Sequence, residues 1–437
     1  MTTHGTRMQP LTDIDPSLRL SDEERGMLAG EAGEAVRLAM RILCRVAPAY
    51  GATALLPITR AHIDGCIYEG EAGLAFAERL AAVGGRVRVP TSLNVISLDR
   101  QHWRTHGLPE GYADGAARLG QAYVSMGATP GFTCAPYQTA ARPAFGEQVA
   151  WAESNAVAFA NAIIGARTNR YGDYLDAACA LTGRAPAAGL HLDEPRLATV
   201  VVELRDIPAA LMADDTFWPV LGYHLGGLVE DEVAAVVGLG EEPGEDALKA
   251  LAAAAATSGS VAMFHLVGIT PEAATLAEAT GGRAARRTVR VSLADLRATR
   301  DSLDSAAPGD RLGLVAFGSP HCSLAECRRL AALMAGRRAA AGIEVWVTTS
   351  RAVRDLLGRG GELATLEAFG ATVTADTCIV VSPLVRQRGM TMMTNSAKYA
   401  HYGPGITGNR AAFASTADCV ASAEAGRVIR GDGPWGA

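Results

Sequence analysis

Residues 131–161, GFTCAPYQTAARPAFGEQVAWAESNAVAFAN, constrain this chain most, because they join a cysteine on irregular backbone to a hydrophobic stretch crowded with polar groups. Cys134 stands among Thr133, Pro136 and Tyr137 with Pro143 following, a pattern that neither a regular helix nor a central strand tolerates. The thiol is therefore placed on a loop. From residue 146 to residue 164 the pattern turns helical: Val149, Ala152, Ala156, Val157, Phe159 and Ile163 surround the axis, while Glu147, Ser154 and Asn161 recur along one stripe. A helix of this kind is buried. An unpartnered buried polar group costs about 1–3 kcal/mol, so Glu153, Ser154, Asn155 and Asn161 need either an internal hydrogen-bond network or a ligand.

Around this stretch the chain reads as α/β. Strand-like runs at 54–59, 86–89, 198–204, 220–225, 261–268, 289–291, 311–317 and 344–349 alternate with helical segments, and the pair Ser21/Glu24 caps a helix expected to run to about Leu43. The βαβ order of the later runs favours parallel sheets, whose ligands bind at the carboxyl edge. Several loops lie at such strand ends. The strand-to-helix turn bracketed by Gly65, Gly70 and Gly73 is one that lets backbone N–H groups converge on an anion. PTSLN (90–94) and GSPHCS (318–323) are two more, and Lys398 lies in a Thr-Asn-Ser turn closed by Gly and Pro. Arg167, Asn169 and Arg170 crowd one turn, where they pair a substrate carboxylate or the chain's own acids. Residues 1–20 form a polar lead-in. The rest is expected as two lobes, 21–215 with 380–437 and 216–379.

With 437 residues, 49% of them hydrophobic, the chain can bury more than one core. A net charge of -6 without any basic run argues against nucleic acid and anionic membrane surfaces. The start of the sequence carries no apolar export segment and nothing later resembles a membrane span, so a cytoplasmic protein acting on a small molecule is expected. Only Lys249 and Lys398 are lysines among 40 basic residues. Lys249, in an alanine-rich helical run, is expected at the surface. Lys398 is expected to do work that needs a compact ammonium.

Eight cysteines are scattered without CxxC pairs, as in a reducing compartment. Cys134, Cys322 and Cys378 alone combine a loop position with a Pro, Thr or His neighbour. Three thiolates from distant loops suit an iron-sulfur cluster with one iron open to a substrate oxygen, whereas closed structural zinc wants a fourth ligand and tighter spacing.

The blocks AHIDGCIYEGEAGLAFAERL, VPTSLNVIS, WAESNAVAFANAIIGARTNR, GSPHCSLAE, ADTCIVVSP and TNSAKYAHYGPG, in this order, resemble the large catalytic part of the aconitase X family over residues 25–430. The resemblance implies aconitase-like three-layer α/β/α lobes with mainly parallel sheets. It also implies an iron-sulfur cluster, held here by Cys134, Cys322 and Cys378, with its nuclearity left open. The implied reaction is dehydration of a small hydroxy acid: cis-3-hydroxy-L-proline to a pyrroline-2-carboxylate, or alternatively mevalonate 5-phosphate. A non-catalytic binding or scaffold subunit is the reading from another class. Carried over by residue, Gly65, Cys66 and Ile67, Asn94 and Val95, and Ser154 would contact substrate, with Glu153 and Lys398 as catalytic groups. The family also uses a small swivelling part with a proton-accepting serine, so a small partner subunit is expected. One departure stands out: Ser319 occupies the place before Pro-His where the archaeal branch has a cysteine, and Cys322 lies three residues on.

Overall fold

The computed structural model describes residues 14–240, 243–385 and 388–436, so most of the expected lead-in lies outside the described residues. Three parallel sheets follow one another along the chain. The first has the strand order Thr91–Leu93, Arg60–Ile63, Val149–Trp151. Phe264–Leu266, Ala234–Val237, Val200–Leu204 and Arg287–Val291 form the second. The third runs Ala371–Ala375, Glu344–Thr349, Leu312–Cys322, Thr391–Thr394, Arg410–Phe413. A short antiparallel pair, Leu55–Pro57 with Arg184–Pro186, completes the pairing. Helices pack on these sheets around three large apolar cores, so the α/β class with mainly parallel sheets expected from the sequence is what the chain adopts.

Several local expectations change. Residues 149–151 are the edge strand of the first sheet, and the helix begins only at Ser154, running to Phe159 and continuing as a π-turn over Ala160–Ile164. An apolar run that is buried on all sides carries no period that separates strand from helix. The same ambiguity hid the helix Phe217–Val229, expected as a strand at 220–225. Gly222 and Gly226 let that helix lie against Glu245–Ser258 so closely that a Cβ on Gly222 would sit 2.2 Å from the Leu251 carbonyl oxygen. The strand expected at 86–89 falls instead at Thr91–Leu93, beyond Pro90. The capping box of Ser21 and Glu24 is present, but Gly30, at φ 98°, ends that helix and a second spans Glu34–Val46. The sheets also group differently from the expected lobes: Thr391–Thr394 pairs in register with Leu312–Cys322, so the third sheet continues through position 379/380.

Lys249 is not at the surface. It is 2% exposed, on the inner face of helix Glu245–Ser258, where its ammonium pairs with Glu326, lies 3.3 Å from Asp246 and donates to the His321 carbonyl at 3.1 Å. The alanines around it are a helix–helix contact, which composition cannot tell from a solvated face.

Candidate active site

The carboxyl ends of the first and third sheets meet across a cavity of about 310 Å³. The first sheet sends in Asp64 and Ile67 after Arg60–Ile63, Asn94 and Val95 after Thr91–Leu93, and Glu153 and Ser154 after Val149–Trp151. From the third come Ser319 within Leu312–Cys322, Cys378 after Ala371–Ala375 and Lys398 after Thr391–Thr394. Cys134 and Arg170 arrive on the connections of the first unit. A larger cavity of about 750 Å³ lies beyond Pro320, lined by Lys249, Glu326 and Cys322. The smaller one gathers the groups that do chemistry.

Glu153 caps helix Ser154–Phe159, accepting the Ala156 N–H at 2.7 Å and the Asn155 amide on one carboxylate oxygen. Its other oxygen takes the Lys398 ammonium at 2.9 Å. Burial works against the Lys398 charge, but Glu153 outweighs it and holds the ammonium above its usual range. Asn155 also donates to the Cys134 carbonyl at 2.9 Å and accepts from the Tyr137 hydroxyl at 2.6 Å, tying the thiol loop to the glutamate. Asn161 is instead spent internally, bonded to Thr168, Ala262 and Arg196. The polar stripe therefore divides: its beginning faces the cavity and its end braces the fold.

Cys134 and Cys378 pack together against Val95. His321 links their loops. Its Nε2–H donates to the Thr377 carbonyl at 2.8 Å, its Nδ1 accepts from the Thr133 hydroxyl at 3.2 Å, and its backbone N–H donates to Cys134 Sγ at 3.2 Å. Burial lowers the imidazole to about 4, so the ring stays neutral. Asp376, held at φ 66° just before Thr377, bonds Arg351 at 2.6 Å, which also holds Asp99 at 2.7 Å, and this network fixes the Asn94 loop against the Cys378 loop. Burial pushes both thiols up, and a cation between them is what would make thiolates of them.

Cys322 does not join this pair. Successive side chains of a strand point to opposite faces, and while His321 faces the thiol loops, Cys322 turns to Cys327 on helix Leu324–Met334 and into the third core. Ser319, on the same strand, is buried and lines the cavity together with Cys134 and Cys378. Cys134 and Cys378, two soft donors packed together at the cavity, suit iron. Among the described residues no group of three or more His, Cys, Asp and Glu side chains has metal-site geometry.

The glycine turn also differs from expectation. The Gly65 N–H donates to Asp176 at 3.3 Å, as does that of Asp64 at 2.6 Å, and the Ile67 N–H bonds the Asp64 carbonyl. Its anion is an aspartate of helix Leu175–Thr182. Gly65 and Cys66 do not line the cavity, and the Cys66 thiol donates into the backbone of Ile63 and Asn94. Ile67, Asn94, Val95, Ser154, Glu153 and Lys398 line it. Asp64, Tyr171 and Tyr402 also line it and carried no role in the sequence reading. Asp64 had a signal, being the first residue past the strand that ends at Ile63.

Profiles of the first, second and third aconitase X domains match residues 17–194, 198–301 and 312–425. The chain is 52% identical to a cis-3-hydroxy-L-proline dehydratase from Pseudomonas aeruginosa, over 97% of this chain and 73% of that protein. It is 46% identical to a protein of the same name from Hypocrea jecorina, over 95% and 70%. A phosphomevalonate dehydratase large subunit from Methanothermobacter thermautotrophicus is 37% identical, over 90% and 96%. The crystal structure of aconitase X from Thermococcus kodakaraensis in its holo form superimposes with a TM-score of 0.82 at 33% identity, covering 93% of this chain and all of that one. Matches across all three domains, together with the shared fold and the cavity between sheets, make this chain a member of the aconitase X family.

Proposed function

We propose that the chain is the large subunit of a hydro-lyase that dehydrates cis-3-hydroxy-L-proline to a pyrroline-2-carboxylate, with an iron-sulfur centre and a small partner subunit. The observation that carries this reading is one small cavity where Cys134 and Cys378 face the Glu153–Lys398 pair, in a chain half identical to dehydratases of that name. Cys134 and Cys378 would hold the centre, with Ser319 beside them. When bound, iron supplies Lewis acidity for hydroxide, a poor leaving group.

The chain's own groups do the rest. Lys398 keeps a fixed positive charge at the cavity, which lowers the cost of the negative charge that builds on the substrate as the Cα proton leaves. Both oxygens of Glu153 are occupied, so its role is to fix Lys398, and proton abstraction falls to the serine that the small partner of this family brings. The name "large subunit" of the phosphomevalonate relatives supports a two-chain assembly. No helix among the described residues is long and apolar enough to cross a membrane, and a cytoplasmic location is part of the proposal.

Mevalonate 5-phosphate fits less well. A phosphate wants several cations, and beyond Lys398, already paired, Arg170 is the one cationic side chain lining the cavity among the described residues. The test is co-production with the small partner, followed by iron analysis and assay of both substrates. Cys134→Ser and Cys378→Ser should each lose iron and turnover, and Cys322→Ala should keep both. Full turnover of hydroxyproline by iron-free protein would overturn the assignment.

A further inference from the structure

Four charged side chains line the cavity, and they are not equally free. Glu153 and Lys398 consume each other. Asp64 and Arg170 have no ion pair among the described residues. Among the described residues Arg170 makes a single long hydrogen bond, 3.5 Å to the Ala256 carbonyl. Asp64 is half-buried at the cavity wall. One of its oxygens accepts from the Asn94 amide, and the other has no hydrogen bond among the described residues. Asn94, 2% exposed and lining the same cavity, commits its amide nitrogen to that bond.

The cavity thus offers one uncommitted cation and one uncommitted carboxylate oxygen. A hydroxy acid with only a carboxylate answers the first and leaves the second unmet. A cyclic amino acid answers both, because its secondary ammonium donates N–H groups and its carboxylate suits a guanidinium. We propose that Asp64 receives the ring ammonium of the substrate while Arg170 receives its carboxylate, so that Asp64 selects amino acids over hydroxy acids that lack an amine. This deepens the hydroxyproline reading and rests on it. Burial, with Glu153, Asp173 and Asp176 nearby, raises the empty Asp64 carboxyl above its usual range, and an ammonium against it relieves that penalty.

The test compares two unreactive ligands of the same shape, L-proline and (S)-tetrahydrofuran-2-carboxylate, whose ring oxygen cannot donate. Binding to the full-length protein with its small partner is read by calorimetry. A charge-assisted hydrogen bond corresponds to about tenfold or more in affinity, so the wild type should prefer L-proline by at least about that factor. Asp64→Asn should bring the two ligands within about threefold of each other by weakening L-proline alone. A purely structural role would weaken both ligands together and leave the ratio unchanged, which would overturn the inference. Equal binding of the two ligands by the wild type would overturn it as well. If Asp64→Asn lacks the wild-type melting transition, Asp64→Ser carries the same comparison. Turnover of cis-3-hydroxy-L-proline by the wild-type complex is measured separately: turnover with an unchanged ligand ratio in the variant refutes only the role of Asp64, and absent turnover refutes the dehydratase reading.

Discussion

Replacing Lys249 with Met keeps most of the buried stem and removes only the charge. In the wild type that charge meets Glu326, lies 3.3 Å from Asp246 and bonds the His321 carbonyl at 3.1 Å, bridging the second and third units of the fold. After the substitution the Glu326 carboxylate, with its side chain 20% exposed, keeps the Ser323 N–H at 2.7 Å but loses its cation and remains next to Asp246. Removing one member of a buried pair costs about 3–5 kcal/mol. With a urea dependence of about 3 kcal/mol per molar, the unfolding midpoint should fall by about 1–2 M. The deficit also depends on pH. Burial raises the Glu326 carboxyl in the folded chain, and losing Lys249 raises it further. The penalty is therefore present above the unfolded carboxylate range near pH 4.3 and shrinks as acid protonates Glu326 in both states. Glu326→Gln on top of Lys249→Met should recover most of the loss. A midpoint shift under about 0.3 M, the scale of a solvated pair, would refute the reasoning.

Asp176 is pushed up to about 7, first by burial and then by Asp173, against the pull of the N–H groups it accepts. A raised carboxyl favours the protonated folded state, so its contribution to stability is lost as pH rises from about 4 to about 7, by up to about 4 kcal/mol at 1.4 kcal/mol per pH unit. Asp176→Asn should flatten that part of the wild-type stability profile, measured by urea titration at several pH values, and identical slopes would contradict it. Gly222→Ala sets a helix-propensity gain of about 1 kcal/mol against a Cβ 2.2 Å from the Leu251 carbonyl oxygen. Overpacking against rigid backbone costs about 1–3 kcal/mol or more, so the melting temperature should fall, and a rise would show that the two helices separate easily. Lys398→Met should abolish turnover while keeping the iron that Cys134 and Cys378 are proposed to hold, and iron loss in that variant would mean that the lysine shapes the thiol pair.

Local chemistry and strand order carried the sequence reading a long way. The alternation of strands and helices predicted parallel sheets, the proline-bounded Cys134 could only be on a loop, and the excess of polar groups after Trp151 pointed to Glu153, which does face the cavity. Lys398 stood out as one of two lysines. Lys249, the other, was misread because a run of alanines looks alike against solvent and against a neighbouring helix. What the sequence could not settle is which way a side chain points once strands are in register. Ser319 and Cys322 sit on one strand, and only the tertiary structure puts the serine at the cavity that Cys134 and Cys378 line and the cysteine against Cys327. Likewise the glycine turn could have served any anion, and helix Leu175–Thr182 supplies one from within. Composition and spacing determine what kinds of groups a chain owns. Which of them meet, and which cancel, is decided by contacts between residues hundreds of positions apart, because burial and charge act through space.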